Sequence, residues 1–136
     1  MKKVGLMFFV LVLIAGCVPS TVQLLRENPS GKSTFVADEG YQQVYRKVVT
    51  KARNCFQTGM ITAQMVVQGD LYTDIRTGHV SIALHGGLGV STYANVDIEA
   101  ISDNETRVTT YYGFPTWSRI VPTVEDWVKL NSDQCL

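Results

Sequence analysis

Residues 63–84 read AQMVVQGDLYTDIRTGHVSIAL, and the alternation in this stretch decides the fold. Ala63, Met65, Val67, Leu71 and Ile75 share one parity, whereas Gln64, Gln68, Asp70, Tyr72 and Asp74 share the other. Successive side chains of a strand point to opposite faces, so such a pattern predicts one buried and one solvated sheet face. Val80, Ile82 and Leu84 continue it in a second run, and Gly69 is expected to mark a bulge. A turn at Ile75-Arg76-Thr77-Gly78 would set Asp74 opposite His79 and Leu71 opposite Ile82, keeping the apolar sides together.

Two further runs follow downstream. Ala94, Val96, Ile98 and Ala100 alternate in one, and Thr106, Val108, Thr110 and Tyr112 in the next. A turn at Ser102-Asp103-Asn104 would pair Ile98 with Val108 and Glu99 with Arg107, the latter an exposed cross-strand ion pair. Gly86-Gly87-Leu88-Gly89 joins the second and third runs. It lacks a small residue at the sixth position of a dinucleotide fingerprint, where Thr92 stands, and reads as a turn.

Helical periods flank the strands. From Asp38 to Phe56, Tyr41, Val44, Tyr45, Val48, Ala52, Cys55 and Phe56 recur every three or four residues, with Asp38 as the expected N-cap. A second stripe holds Trp117, Ile120, Val121, Val124, Trp127, Val128 and Leu130, with Pro122 placed near a first turn. The expected fold is therefore α+β: a two-layer sandwich, helix–four-stranded antiparallel sheet–helix, with both helices on one face.

The first 16 residues have a different character. Lys2 and Lys3 precede the apolar run Val4–Ala15, shorter than the roughly 20 residues that span a bilayer and built like a secretory signal. Its end, Ile14-Ala15-Gly16-Cys17, resembles the lipobox of bacterial lipoproteins. That resemblance implies cleavage before Cys17, diacylglycerol on its sulfur and a membrane anchor. Val18, where inner-membrane lipoproteins of the enteric type carry Asp, resembles the pattern sorted to the outer membrane. The mature chain, with Tyr-Gln-Gln-Val-Tyr-Arg-Lys at 41–47, is similar to small proteobacterial outer-membrane lipoproteins described only as hypothetical proteins. Its order of elements is also similar to the helix-grip domains of an outer-membrane assembly lipoprotein, a likeness that carries over no residues. The domains are then a signal peptide at 1–16, a lipid-anchored flexible tether at 17–37, and one periplasmic α+β domain at 38–136. Within the tether, Gly31-Lys32-Ser33-Thr34 ends like a phosphate-binding loop, but Arg26 stands where that loop needs its first glycine.

Charge and cysteines narrow the function. The whole chain balances 12 basic against 12 acidic residues, and without residues 1–16 the balance is 10 to 12, which argues against a nucleic-acid partner. With Cys17 lipidated, Cys55 and Cys135 are left in an oxidising compartment, and a disulfide between them is expected. His79 and His85 lie six strand residues apart, about 20 Å, too far to share a metal ion. No metal or cofactor is expected. His79 beside Asp74 reads as a surface pair, since no nucleophile accompanies them.

The sheet face expected to be free of helices carries Tyr72, Tyr93, Tyr111, Asp97 and His79. Aromatic residues among polar groups suit an interface. We therefore expect a non-catalytic binding or scaffold module with an envelope protein as partner. The alternatives are an inhibitor or exclusion factor against a foreign envelope-active protein and, more remotely, a peptidoglycan-acting enzyme using carboxylates such as Asp70, Asp74, Asp97 and Glu99.

Overall fold

The computed structural model describes residues 18–136, and a single sheet organises them. Its strands are β1 (Gly31–Ala37), β2 (Thr58–Met60), β3 (Ala63–Tyr72), β4 (Thr77–Gly86), β5 (Gly89–Ala100) and β6 (Thr106–Tyr112). They lie in the order β1-β6-β5-β4-β3-β2, each antiparallel to its neighbours. Helices α1 (Val22–Glu27), α2 (Tyr41–Phe56) and α3 (Ile120–Lys129) complete the fold, with a 3-10 turn at Pro115–Trp117 before the last. The α+β class is as the periodicity predicts. The sheet is wider than expected, with six strands in place of four, because both edges are built from segments without a clear alternation.

Helices α2 and α3 cover one face side by side, α2 over β3, β4 and β5, and α3 over β1 and β6. Val44, Val48 and Ala52 of α2 and Val124, Trp127 and Val128 of α3 meet Val80, Ile82, Val96, Ile98 and Val108 of the sheet. These are the residues of the helical stripes and of the apolar strand parity, now fully or almost fully removed from water. Helix α2 starts at Tyr41 with Gly40 as its N-cap and no side-chain cap, so Asp38 does not hold that position.

Register is partly as expected. Ile98 faces Val108 and Glu99 faces Arg107, whose Nη1 lies 3.1 Å from Glu99 Oε2. The β3–β4 hairpin differs: Tyr72 pairs with Thr77, so Asp70, not Asp74, faces His79, and Leu71 faces Gly78. The slip of four residues is even and leaves every side chain on its expected face. The turn thus spans 73–76, with Arg76 at φ 55° in the left-handed conformation. Gly69 is not a bulge, since β3 stays in register across it. A β-carbon there would meet Tyr45 Oη at 2.6 Å, so glycine lets α2 approach the strand. The irregularity lies instead between β4 and β5, where Ile82 faces Ala94 and Ala83 faces Thr92, leaving Tyr93 as the extra residue.

The stretch expected to be a tether is a structured part of the domain. Thr21 Oγ1 accepts a hydrogen bond from Leu24 N and caps α1, and β1 pairs along its whole length with β6. Helix α1 sits on the sheet face opposite α2 and α3: its Arg26 reaches Asp97, which alternates with the inward Val96 and Ile98. Leu25 is 0% exposed, and the backbone N–H of Thr92 donates to Pro19 O at 2.7 Å. The sheet therefore has a helical layer on one side and a short, partial one on the other.

The chain ends clasped to α2. Cys55 and Cys135 form a disulfide. Beside it the buried Lys51 donates to the carbonyls of Asn131 and Ser132 and to Asp133 Oδ1, and Trp127 Nε1 donates to Gln134 O at 2.7 Å. A lysine so buried is tolerated because its three donors all find oxygens.

Candidate functional site

Period-two geometry places polar side chains in rows across the face opposite α2 and α3. One row runs Asp70, His79, Asp97, Thr109, Thr34 through five adjacent strands. His79 Nε2 lies 3.1 Å from Asp70 Oδ2, and Thr34 and Thr109 join through their hydroxyls at 3.0 Å. The neighbouring row places Asn95 opposite Tyr111 and Tyr111 opposite Lys32.

Helix α1 adds the residue that organises this face. Arg26 grips Asp97 with both ends of its guanidinium, Nε donating to Oδ2 at 2.8 Å and Nη2 to Oδ1. Bidentate, charge-assisted pairs of this kind are stronger and more directional than ordinary hydrogen bonds. Asp97 also accepts from Asn95 Nδ2 at 2.8 Å. The hydrogen bond to Asp97 holds the Arg26 guanidinium pKa above its ordinary value, against the opposing effect of burial. Tyr111, beside this pair, has its phenol pKa raised, first by burial and then by the charge of Asp97.

An open cleft of about 420 Å³ lies on the β3–β4 side of Arg26, lined by Arg26, Tyr72, Ile75, His79, Asp97 and Glu99 among others. Tyr72 stacks on His79 with ring centroids 6.0 Å apart and is 45% exposed. The structure thus brings Tyr72, His79 and Asp97 together in one concavity, with Tyr111 on the flank of the same ion pair. Tyr93 is elsewhere. The bulge turns its ring to the helix side, where it packs on Phe114 at 4.8 Å and Trp117 at 4.9 Å, and Trp117 in turn meets Phe56 of α2. Cys17 lies outside the described residues.

The carboxylates of the cleft are engaged in pairs. Each of its carboxylates has a cationic or imidazole partner: Asp97 has Arg26, Glu99 has Arg107, and Asp70 at its edge has His79. The pair of His79 with Asp74 expected from the sequence is replaced by His79 with Asp70, a consequence of the hairpin register. Among the described residues no group of three or more His, Cys, Asp or Glu is placed to hold a metal ion, and no helix is long and apolar enough to cross a membrane. Arg26 was hidden from sequence reasoning because the residues around it make too short a helix for a period to show. The one available signal was Thr21 three residues ahead of the Leu24-Leu25 pair. No protein-family model and no curated protein sequence matches this chain, so the reading of the face rests on its own geometry.

Proposed function

We propose that this chain is a lipid-anchored lipoprotein of the bacterial outer membrane whose domain faces the periplasm and binds an envelope protein without catalysis. The carrying observation is the cleft in which a half-exposed Tyr72, stacked on His79, stands beside the ion-paired Arg26 and Asp97. Tyrosine and arginine dominate the binding energy of protein interfaces, and pre-ordered side chains lose little freedom when a partner arrives. The engaged state of the carboxylates supports a binding role over acid–base work. Anchoring is proposed from the signal-like residues 1–16 and the lipobox ending in Cys17.

Each half of the proposal has its own test. For the anchor, Cys17→Ser should abolish incorporation of labelled fatty acid and release the protein from the membrane fraction, because acylation needs that thiol. A variant that still incorporates the label and sediments with outer membrane overturns the anchor. For the face, a photocrosslinking amino acid at position 72 should yield an adduct with an envelope protein in intact cells, and one at Thr50 on the exposed side of α2 should not. Tyr72→Ala should then weaken that partner about 30-fold, the equivalent of an anchor contributing about 2 kcal/mol. It should leave stability within about 0.5 kcal/mol of the parent. Equal adducts at both positions, or full retention of the partner by Tyr72→Ala, would rule this face out.

A further inference from the structure

The two ends of the sheet differ in polarity. At one end the turns at 73–76 and 101–105 intersperse the exposed Ile75 and Ile101 with Asp74, Arg76, Asp103 and Glu105, and Arg76 and Asp103 pair at 2.7 Å. At the other end the β2–β3 turn and the β4–β5 turn lie side by side, because Ala63 pairs with both Met60 and Gly86. Residues 57–63 and 86–91, which build that end, contain no Asp, Glu, Lys or Arg. They present instead Met60 at 80% exposure and Ile61 and Leu88 fully exposed, with Val90 behind them. Apolar side chains gathered at loop tips with no charge among them are unfavourable in water and suit an apolar surface.

The chain leading toward residue 17 is fixed near this same end. Pro19 is buried and accepts the hydrogen bond from Thr92 N, on β5, four residues from Leu88. At about 3.3 Å of rise per strand residue, the Leu88 tip projects roughly 13 Å beyond Thr92. Two peptide units let Cys17 stand at most about 7 Å from Pro19. In whichever direction those two residues run, the tips reach about 6 Å or more beyond the α-carbon of residue 17 along the strand direction.

From this geometry we infer that the Met60–Ile61 and Leu88 tips insert into the bilayer to which Cys17 is anchored, so that the domain stands on the membrane in one fixed orientation. The inference rests on the anchor proposed above. An immersion of about 6 Å past the lipidated residue matches the depth at which interfacial segments bury their apolar side chains. It also sets the cleft of Tyr72, His79 and Asp97 at the far, charged end of the sheet. Asp97 lies five residues beyond Thr92, about 16 Å farther from the lipid, where a periplasmic partner has free access.

Environment-sensitive fluorophores test this on the full lipidated chain in phosphatidylethanolamine–phosphatidylglycerol vesicles. Ile61→Cys, Leu88→Cys and Asp103→Cys each supply one free thiol, the native disulfide being left intact, and all three sites are exposed enough to accept a label without refolding. Labels at 61 and 88 should show blue-shifted emission and lose most of it to a quencher carried on the lipid chains, whereas the label at 103 should respond only to a water-soluble quencher. Labels at 61 and 88 that respond like the one at 103, on protein that still co-sediments with the vesicles, overturn the orientation and leave the anchor standing. Blue-shifted labels that the lipid-borne quencher does not reach mean that protein covers the tips, which also overturns it. A chain that carries no lipid and stays in the supernatant overturns the anchor and this inference together.

Discussion

Removing the cross-link, as Cys55→Ala together with Cys135→Ala, should lower the thermal midpoint by roughly 10–15 °C, the largest stability loss we expect from any pair of small substitutions here. The two cysteines are 80 residues apart. On the chain-entropy account, closing a loop of that length restricts the unfolded chain by the equivalent of about 4.5 kcal/mol, and typical disulfides deliver about 2–4. The folded side points the same way. The bond joins the last turn of α2 to the segment following α3, and that segment carries the carbonyls that receive Lys51. Releasing it lets Asn131 and Ser132 drift and leaves a buried ammonium without acceptors, so the loss is expected to exceed that of the constraint alone. Thermal melts of the double variant against the parent, each with and without reductant, measure this. A parent whose midpoint is unmoved by reductant, or a double variant that melts with it, would show that the cross-link contributes nothing.

The elements legible in the sequence are those with a long, single period. Sixteen residues of α2 with apolar residues every third or fourth position, and the parity of β3 through β6, fix which side chains are inside. Parity survives even where the pairing was misplaced: sliding the β3–β4 hairpin by four residues changes the partner of every residue and the face of none. Parity alone does not place the turn, and Gly78 belongs to β4, opposite Leu71. A β-carbon there would crowd Asp70 O and Tyr45 Cδ2 at 3.1 Å. The edges were illegible for a physical cause. The inward residues of β1 are Gly31, Ser33, Phe35 and Ala37, a set with too little apolar contrast to Lys32, Thr34 and Val36 to register as alternation. In the candidate site, Tyr72, His79 and Asp97 follow from parity, whereas Tyr93 fails because a bulge reverses parity locally and nothing in Ser91-Thr92-Tyr93-Ala94 announces one.

The place of α1 in the fold leads to the second large effect. Leu25→Ala should destabilise the protein by about 2–3 kcal/mol, at the lower end of the range for a buried leucine because a short surface helix can partly settle into the space. Leu25 is completely buried at the end of the β5–β6 pair, with Cδ1 3.3 Å from where a β-carbon of Gly113 would stand. Its neighbour Leu24 is 44% exposed, and Leu24→Ala should stay within about 0.5 kcal/mol of the parent. The contrast between adjacent leucines separates a packed helix from an apolar stretch of tether, in which both changes would be silent. Loosening α1 also withdraws Arg26 from Asp97, so Leu25→Ala should reduce the crosslink at position 72 even at temperatures where the sheet stays folded. Amide exchange reads the same event directly: the Thr92 N–H, bonded to Pro19 O, should exchange faster in Leu25→Ala, while the N–H groups of α2 keep their protection. Equal midpoints for the two variants would return residues 18–37 to the status of a tether and remove Arg26 from the binding face.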